Sequence, residues 1–171
     1  MNVPRLTPVS YMVLGLLELA GEATPYQLKQ FAAQSVGNFW SIQHAQLYSE
    51  PERLAAAGLL DEEREEGGRR RRTYRLTDAG REALEAWRAT PAGEIGELRN
   101  PGLLQLFFGA EKGPLARAQL ETHTRVLAEY EELHASAGGW LPEGQRLALE
   151  AGIAHEREWL RFWREVGEID P

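Results

Sequence analysis

Apolar residues in the first part of the chain recur at intervals of three and four, the spacing of one helix face. Two such segments begin with the same dipeptide, Thr7-Pro8 and Thr24-Pro25. A threonine can cap the free backbone N–H groups of a helix start, and proline is favoured at the first helical position. Gln27 completes a capping box with Thr24. The pattern predicts helices over residues 8–20 and 25–33.

A third helical pattern begins after Phe39-Trp40, with Ser41 as the expected cap. Pro51 interrupts it, because a proline inside a helix removes one backbone hydrogen bond and clashes with the preceding turn, at a cost of about 3 kcal/mol. We therefore expect a kink or split near Ser49-Glu50, followed by a resumed helix that ends at Gly58.

A charged hairpin is predicted next, with a mostly acidic run at residues 61–66, then Gly67-Gly68 and an arginine-rich strand. A two-residue turn at the glycines would place Leu59 opposite Leu76 and Arg64 opposite Arg71. One face would then be a ladder of ion pairs. The other face would carry four arginines: Arg64, Arg69, Arg71 and Arg75.

The rest of the pattern is helical. Thr77-Asp78 begins a fourth helix that fades at residues 90–93, where we expect a domain boundary. An apolar segment at 103–108 and two long helices, from Gly113-Pro114 to Gly138 and from Pro142 to Val166, follow it. The fold class expected is mainly α with a small β-hairpin, in two domains over residues 1–90 and 91–171.

The second domain has more apolar and aromatic residues than about 80 residues can bury among themselves, which indicates burial against another copy. The aromatic residues could instead line a pocket for a planar ligand, although their helical spacing is more typical of a core or a dimer interface. The candidate residues for interface or pocket are Phe107, Phe108, Leu127, Tyr130, Trp159, Phe162 and Trp163.

Charge changes the picture of the first domain. The net charge of the 171 residues is −7, yet residues 1–90 carry 11 Lys and Arg against 12 Asp and Glu. Five of the seven residues from Arg69 to Arg75 are arginine. Local clustering decides phosphate contact more than net charge does. The alternative is a solvated hairpin that the carboxylates of residues 61–66 neutralise.

A helix beside a two-stranded ribbon suits DNA, because the helix fits the major groove and the ribbon can hold phosphates. Gln43, His44 and Gln46 could contact base edges, or they could be ordinary surface residues. Tyr48 could pack in the core or contact a phosphate. The DNA-binding candidates are Ser41, Gln43, His44, Gln46, Tyr48, Arg64, Arg69, Arg70, Arg71, Arg72 and Arg75.

Several other functions are disfavoured. The chain has no cysteine, no apolar run long enough to span a membrane and no signal-peptide pattern, so we expect a cytoplasmic location. His123 and His134 would lie about 16 Å apart along one helix, too far to share a metal ion. No nucleophile motif is present. We expect neither an enzyme nor a bound metal or cofactor.

The opening Val13-Leu14-Gly15-Leu16-Leu17, the segment Gly58-Leu59-Leu60 and the stretch from Tyr74 to Gly80 together resemble the PadR family of bacterial transcriptional regulators. The resemblance implies a winged helix-turn-helix domain, a helical C-terminal dimerisation domain, and repression relieved by a ligand. Two features depart from it. The family usually has leucine where this chain has Pro51, and the hairpin, or wing, is unusually rich in both signs of charge.

Two functions are therefore expected as alternatives. The first is a homodimeric regulator that binds double-stranded DNA at an inverted repeat and senses a small aromatic effector. The second is a winged-helix protein-interaction module that has lost DNA binding and uses its acidic tail for a protein partner.

Overall fold

A computed structural model describes residues 5–40, 42–65 and 71–168. The chain divides into two compact units, Met1–Glu94 and Ile95–Pro171. The domains expected from the sequence, 1–90 and 91–171, divide it four residues earlier. Among the described residues, no helix is both long and apolar enough to cross a membrane.

The described part of unit 1 contains four α-helices and a small sheet. Its helices are α1 (Pro8–Ala20), α2 (Pro25–Ala33), α3 (Gln46–Ala56) and α4 (Asp78–Arg88). A short 3₁₀ helix, Val36–Asn38, follows α2. Thr7 and Thr24 both cap their helices through capping boxes, and Thr77 caps α4. These helix starts confirm the sequence prediction because each depends on a side chain within three residues of the backbone group that it satisfies.

The third helix differs from its prediction in where it begins and in the effect of Pro51. It begins at Gln46 rather than after Ser41, which lies outside the described residues, and its first turn is closed by short-range bonds such as Leu47 N to His44 O, 3.1 Å. The predicted split near Ser49-Glu50 is wrong, because α3 continues through Pro51. The Pro51 ring is fully buried, so packing offsets the hydrogen bond that proline removes.

The sheet has the strand order β1 (Glu22–Ala23), β3 (Arg72–Leu76), β2 (Leu60–Arg64), with both pairs antiparallel. Leu60 lies opposite Leu76, and Arg64 lies opposite Arg72. The predicted register, with Leu59 opposite Leu76 and Arg64 opposite Arg71, is therefore wrong by one residue. The two glycines on which that register was based, Gly67 and Gly68, lie outside the described residues.

This shift changes which side chains share a face, since alternate residues of a strand point to opposite sides. Leu60, Tyr74 and Leu76 are buried on the inner face. They join the core of unit 1, which α1, α2, α3 and α4 complete. Arg64 and Arg72 belong to this inner face, whereas Arg75 is on the outer, exposed face, so the predicted placement of Arg64 beside Arg75 is wrong.

Unit 2 contains α5 (Pro101–Phe107), α6 (Lys112–Ala137) and α7 (Glu143–Gly167). The two long helices pack against each other along their length. Its core is small: Leu115, Ala116 and Trp163 form a buried cluster with partly buried side chains around it, and Ile153 and Leu160 of α7 are also buried. The helices follow the sequence prediction closely.

Candidate nucleic-acid interface

The exposed start of α3 presents most of the polar side chains proposed for base contact. Gln43 and His44 precede the helix in the turn that leads to it, Gln46 is its first residue, and all three are exposed. Tyr48 is 47% exposed, so its ring is not a core residue. Leu47 and Leu54 are buried on the opposite side of the helix. The helix is thus held by its apolar face while its first turns remain free to meet a ligand.

Charged residues further along α3 contact other parts of unit 1. Glu50 forms a bidentate ion pair with Arg53, with carboxylate oxygens 2.9 Å from Nε and 2.5 Å from Nη2. The hydroxyl of Ser10, on α1, donates to Glu50 Oε1 at 2.6 Å. The hydrogen bond from Arg53 lowers the pKa of the Glu50 carboxyl. Ionised Glu50 therefore links α3 to α1.

The wing arginines are not equivalent. Arg72 Nη1 lies 3.1 Å from Glu52 of α3, and its Nε lies 3.5 Å from Glu62. A hydrogen bond to Tyr74, followed by those carboxylates, raises the pKa of the Arg72 guanidinium. Arg64 pairs with Glu62 at 2.5 Å, and Arg75 pairs with Glu63 at 3.3 Å.

Arg71 differs from these three. It is exposed, and it has no ion pair within the ranges that the structure describes. Arg69 and Arg70 lie outside those ranges. Of the described wing arginines, Arg71 is consequently the one whose charge is available to a phosphate without displacing a carboxylate of the described residues.

The residues proposed for the interface or pocket of unit 2 lie on α6, on α7 and at the end of α5. Trp159, Phe162 and Trp163 pack together, with ring centroids 5.0–6.4 Å apart. Phe107 and Phe108 form an exposed edge-to-face pair at 5.2 Å. Leu127 and Tyr130 are half-buried on α6. A groove of about 440 Å³ is lined by other residues, namely Glu131, His134, Glu150, Ile153, Ala154 and Arg157.

A buried polar pair in unit 2 was missed by the sequence analysis. His123 Nδ1 lies 2.5 Å from Glu156 Oε2, and both side chains are nearly buried. Trp159 stacks on the His123 ring at 5.8 Å. A signal was present, because Glu156 lies on the helix face of the buried Ile153 and Leu160, where a carboxylate requires a partner. The partner itself could not be read from one helix alone.

Comparison with known proteins identifies the family. Residues 13–86 match the transcriptional regulator PadR-like family, and residues 98–169 match the family described as virulence activator alpha C-term. The negative transcriptional regulator PadR of Bacillus subtilis (strain 168) is 30% identical over 175 residues, covering 92% of this chain and 94% of that protein. This chain belongs to the PadR-like family of transcriptional regulators.

Solved PadR structures have the same fold. Bacillus subtilis PadR in complex with operator DNA superimposes with a TM-score of 0.83 at 21% identity, covering 98% of this chain and 100% of that chain. The same protein in complex with p-coumaric acid gives a TM-score of 0.76 at 21% identity, covering 95% and 99%. The PadR-like chain therefore has the family's winged helix-turn-helix and helical C-terminal architecture over nearly its whole length.

Proposed function

We propose that this PadR-like regulator is a homodimeric repressor that binds an inverted repeat in double-stranded DNA and is released by a small aromatic effector. The observation that carries the proposal is the exposed start of α3, where Gln43, His44 and Gln46 stand beside a wing that offers Arg71. Glutamine can pair with adenine through two hydrogen bonds, and arginine suits phosphate. The Bacillus subtilis relative is a negative regulator whose structure includes operator DNA.

Exposed apolar side chains in unit 2 support a dimer. Phe107 is 82% exposed, Phe108 is 77% exposed and Trp140 is 91% exposed. Large apolar groups left in water are unfavourable, and a second copy would cover them. Because a two-fold dimer presents two α3 helices, it would read two half-sites of an inverted repeat, about 34–36 Å apart.

An aromatic effector is supported by the core of unit 2. The indole N–H of Trp163 is fully buried and has no hydrogen-bond partner among the described residues. An unpaired buried donor costs about 1–3 kcal/mol, so a ligand with an acceptor group that reached it would gain binding energy. Trp159 and Phe162 offer stacking surfaces beside it. The Bacillus subtilis relative is seen with p-coumaric acid.

One observation favours the alternative of an interaction module without DNA binding. Arg64, Arg72 and Arg75 already pair with carboxylates of the same unit. Exposed ion pairs of this kind contribute only about 0.2–1 kcal/mol each, so phosphates can compete with them. We therefore favour the DNA-binding function, exercised in the cytoplasm and without a catalytic step.

The experiment that tests the proposal is selection of duplexes from a random DNA library with the purified full-length chain. We expect an enriched inverted repeat that the chain binds more tightly than a scrambled duplex of equal length. Enrichment of no motif, together with equal binding to both duplexes, would contradict the proposal. Titration with p-coumaric acid as the effector probe should then weaken binding to the enriched repeat.

A further inference from the structure

We propose that Ser10 is a positioning residue for DNA recognition, which fixes the orientation of α3 through Glu50 and Arg53. The inference rests on the proposed DNA-binding function and deepens it. Ser10 lies on α1 and is fully buried, so its own side chain does not reach the surface proposed to bind DNA.

The Ser10 hydroxyl is fully buried and makes three directed contacts. It donates to Glu50 Oε1 at 2.6 Å. It accepts from the backbone N–H of Thr7 at 2.8 Å and from Arg53 Nη2 at 3.0 Å. Thr7 Oγ1 is a fourth polar neighbour, at 3.1 Å. A hydroxyl has one donor hydrogen and two acceptor lone pairs, so the bonds to Glu50, Arg53 and the Thr7 backbone already use its full capacity.

The arrangement also requires one particular placement of α3. Glu50 and Arg53 both reach Ser10 from the same side of α3, across 40 and 43 residues of sequence. The apolar contacts of Leu47 and Leu54 turn one face of α3 to the core, but they are less directional than hydrogen bonds. Hydrogen bonds to charged groups are short and directional. They therefore select one rotation and one axial position of the helix.

This placement matters for the exposed residues at the start of the helix. Gln46 lies one turn before Glu50 on the same α3 helix, so a rotation of the helix about its axis moves its side chain relative to the groove. Binding sites require their groups to be held within about 0.5 Å and 10–20° of the productive geometry. Loss of the Ser10 bonds should therefore weaken base recognition more than phosphate contact.

The chain offers a matched control near the other end of α1. Glu18, also on α1, forms an ion pair with Arg88 of α4, with Nη1 to Oε1 at 3.1 Å. This pair likewise joins α1 to another helix through a carboxylate and a guanidinium, but it does not touch α3. Glu18→Gln should consequently leave recognition unchanged.

The experiment compares the parent full-length chain with Ser10→Ala, Glu50→Gln and Glu18→Gln. The probes are the duplex enriched by the parent and a scrambled duplex of equal length, and the measured quantity is the ratio of the two affinities. We expect Ser10→Ala and Glu50→Gln each to lower this ratio about tenfold, with binding to the scrambled duplex changed less than about twofold. Circular dichroism measures the folded fraction of each variant. Stoichiometric titration with DNA measures the fraction that is able to bind.

The outcomes separate positioning from simple stability. If Ser10 had a purely structural role, its loss would lower the melting temperature and the binding-competent fraction. The folded protein would keep the parent's ratio of affinities for the enriched and scrambled duplexes. This result would overturn the inference. If Ser10→Ala fails to fold, Glu50→Gln decides, since it keeps the side-chain shape. A drop in the ratio for Glu18→Gln equal to that for Ser10→Ala would also overturn it. A parent without sequence preference would instead refute the proposed function.

Discussion

Individual arginines of the wing differ in what their charges already contact. Arg72, on the inner face of its strand, is held by Glu52 and Glu62. Arg71 is exposed and has no ion pair in the described part of the chain. A cation already paired with a carboxylate must give up that partner to meet a phosphate, whereas a free one gains the contact without exchange. Both were DNA-binding candidates from the sequence, where the expected register placed only Arg71 on the arginine-rich face.

The first prediction compares these neighbours by single substitution. Arg71→Ala should weaken binding to all duplexes and reduce the slope of log affinity against log salt by about 2, because each protomer of the dimer loses one phosphate contact. Arg72→Ala should change the slope less. Fluorescence anisotropy across a salt series measures both. Equal slopes for the two variants would show that the ion pairs of Arg72 with Glu52 and Glu62 do not keep it from contacting phosphate.

The second prediction concerns Gln46, the first residue of α3. Gln46→Ala should reduce affinity for the best duplex by about 1–3 kcal/mol and redistribute base preference, with binding to a scrambled duplex little changed. Ser49→Ala is the control, since that hydroxyl is also exposed on α3 but bonds back to the Ala45 carbonyl. Selection that returns the parent's motif from the Gln46 variant would remove this residue from the recognition surface.

At the scale of elements, helix starts that depend on neighbouring residues were predicted correctly from the sequence. Features that depend on residues far apart in the chain were not. The helix starts at Thr7, Thr24 and Thr77 were predictable because each cap bonds a backbone group three residues away. The start of α3 was misplaced, because Ser41 satisfied the sequence pattern for a cap while the chain turns at residues 44–45 before the helix begins.

The hairpin and the site show the same limit. The register was missed by one residue because a two-residue turn was assumed at the glycines, and strand pairing depends on the length of that connection. The exposed polar residues of α3 were predictable from the sequence. Their support by Ser10, and the pairing of His123 with Glu156, were not, since both join residues on different helices.

The third prediction uses two glycines that lie inside helices. A Cβ on Gly80 of α4 would lie 2.2 Å from the backbone oxygen of Leu59, whereas one on Gly15 of α1 would meet nothing within 4 Å. Gly15→Ala should raise the free energy of unfolding by about 0.5–1 kcal/mol, because alanine favours helix. Gly80→Ala should lower it, because backbone must move. Urea unfolding measures both, and stabilisation by Gly80→Ala would contradict the packing described for α4.

The whole molecule joins a unit suited to DNA with a unit suited to association. The net charge of −7 falls mostly on the second half, which discourages indiscriminate binding to nucleic acid. The small core of α5, α6 and α7, and the exposed Phe107 and Phe108, leave apolar surface for a second copy. Avidity of two half-sites would then add to the modest affinity of one.

The fourth prediction addresses this association. Light scattering should show the full-length chain as a dimer at micromolar concentration, and a chain of residues 1–90 as largely monomeric. The shortened chain should bind DNA weakly, because it loses simultaneous engagement of two half-sites. A monomeric full-length chain would contradict the dimer. A shortened chain that dimerises and binds at full strength would move the interface to unit 1.

The central claim, that this PadR-like chain binds DNA through α3 and its wing, is tested most directly by the salt dependence of its affinity for the enriched duplex. With at least one phosphate-binding cation from each protomer, log affinity should fall linearly with log salt, with a slope of about −2 or steeper. The enriched duplex should remain preferred over a scrambled one throughout. Negligible binding at every salt concentration, or affinity independent of salt, would contradict the account.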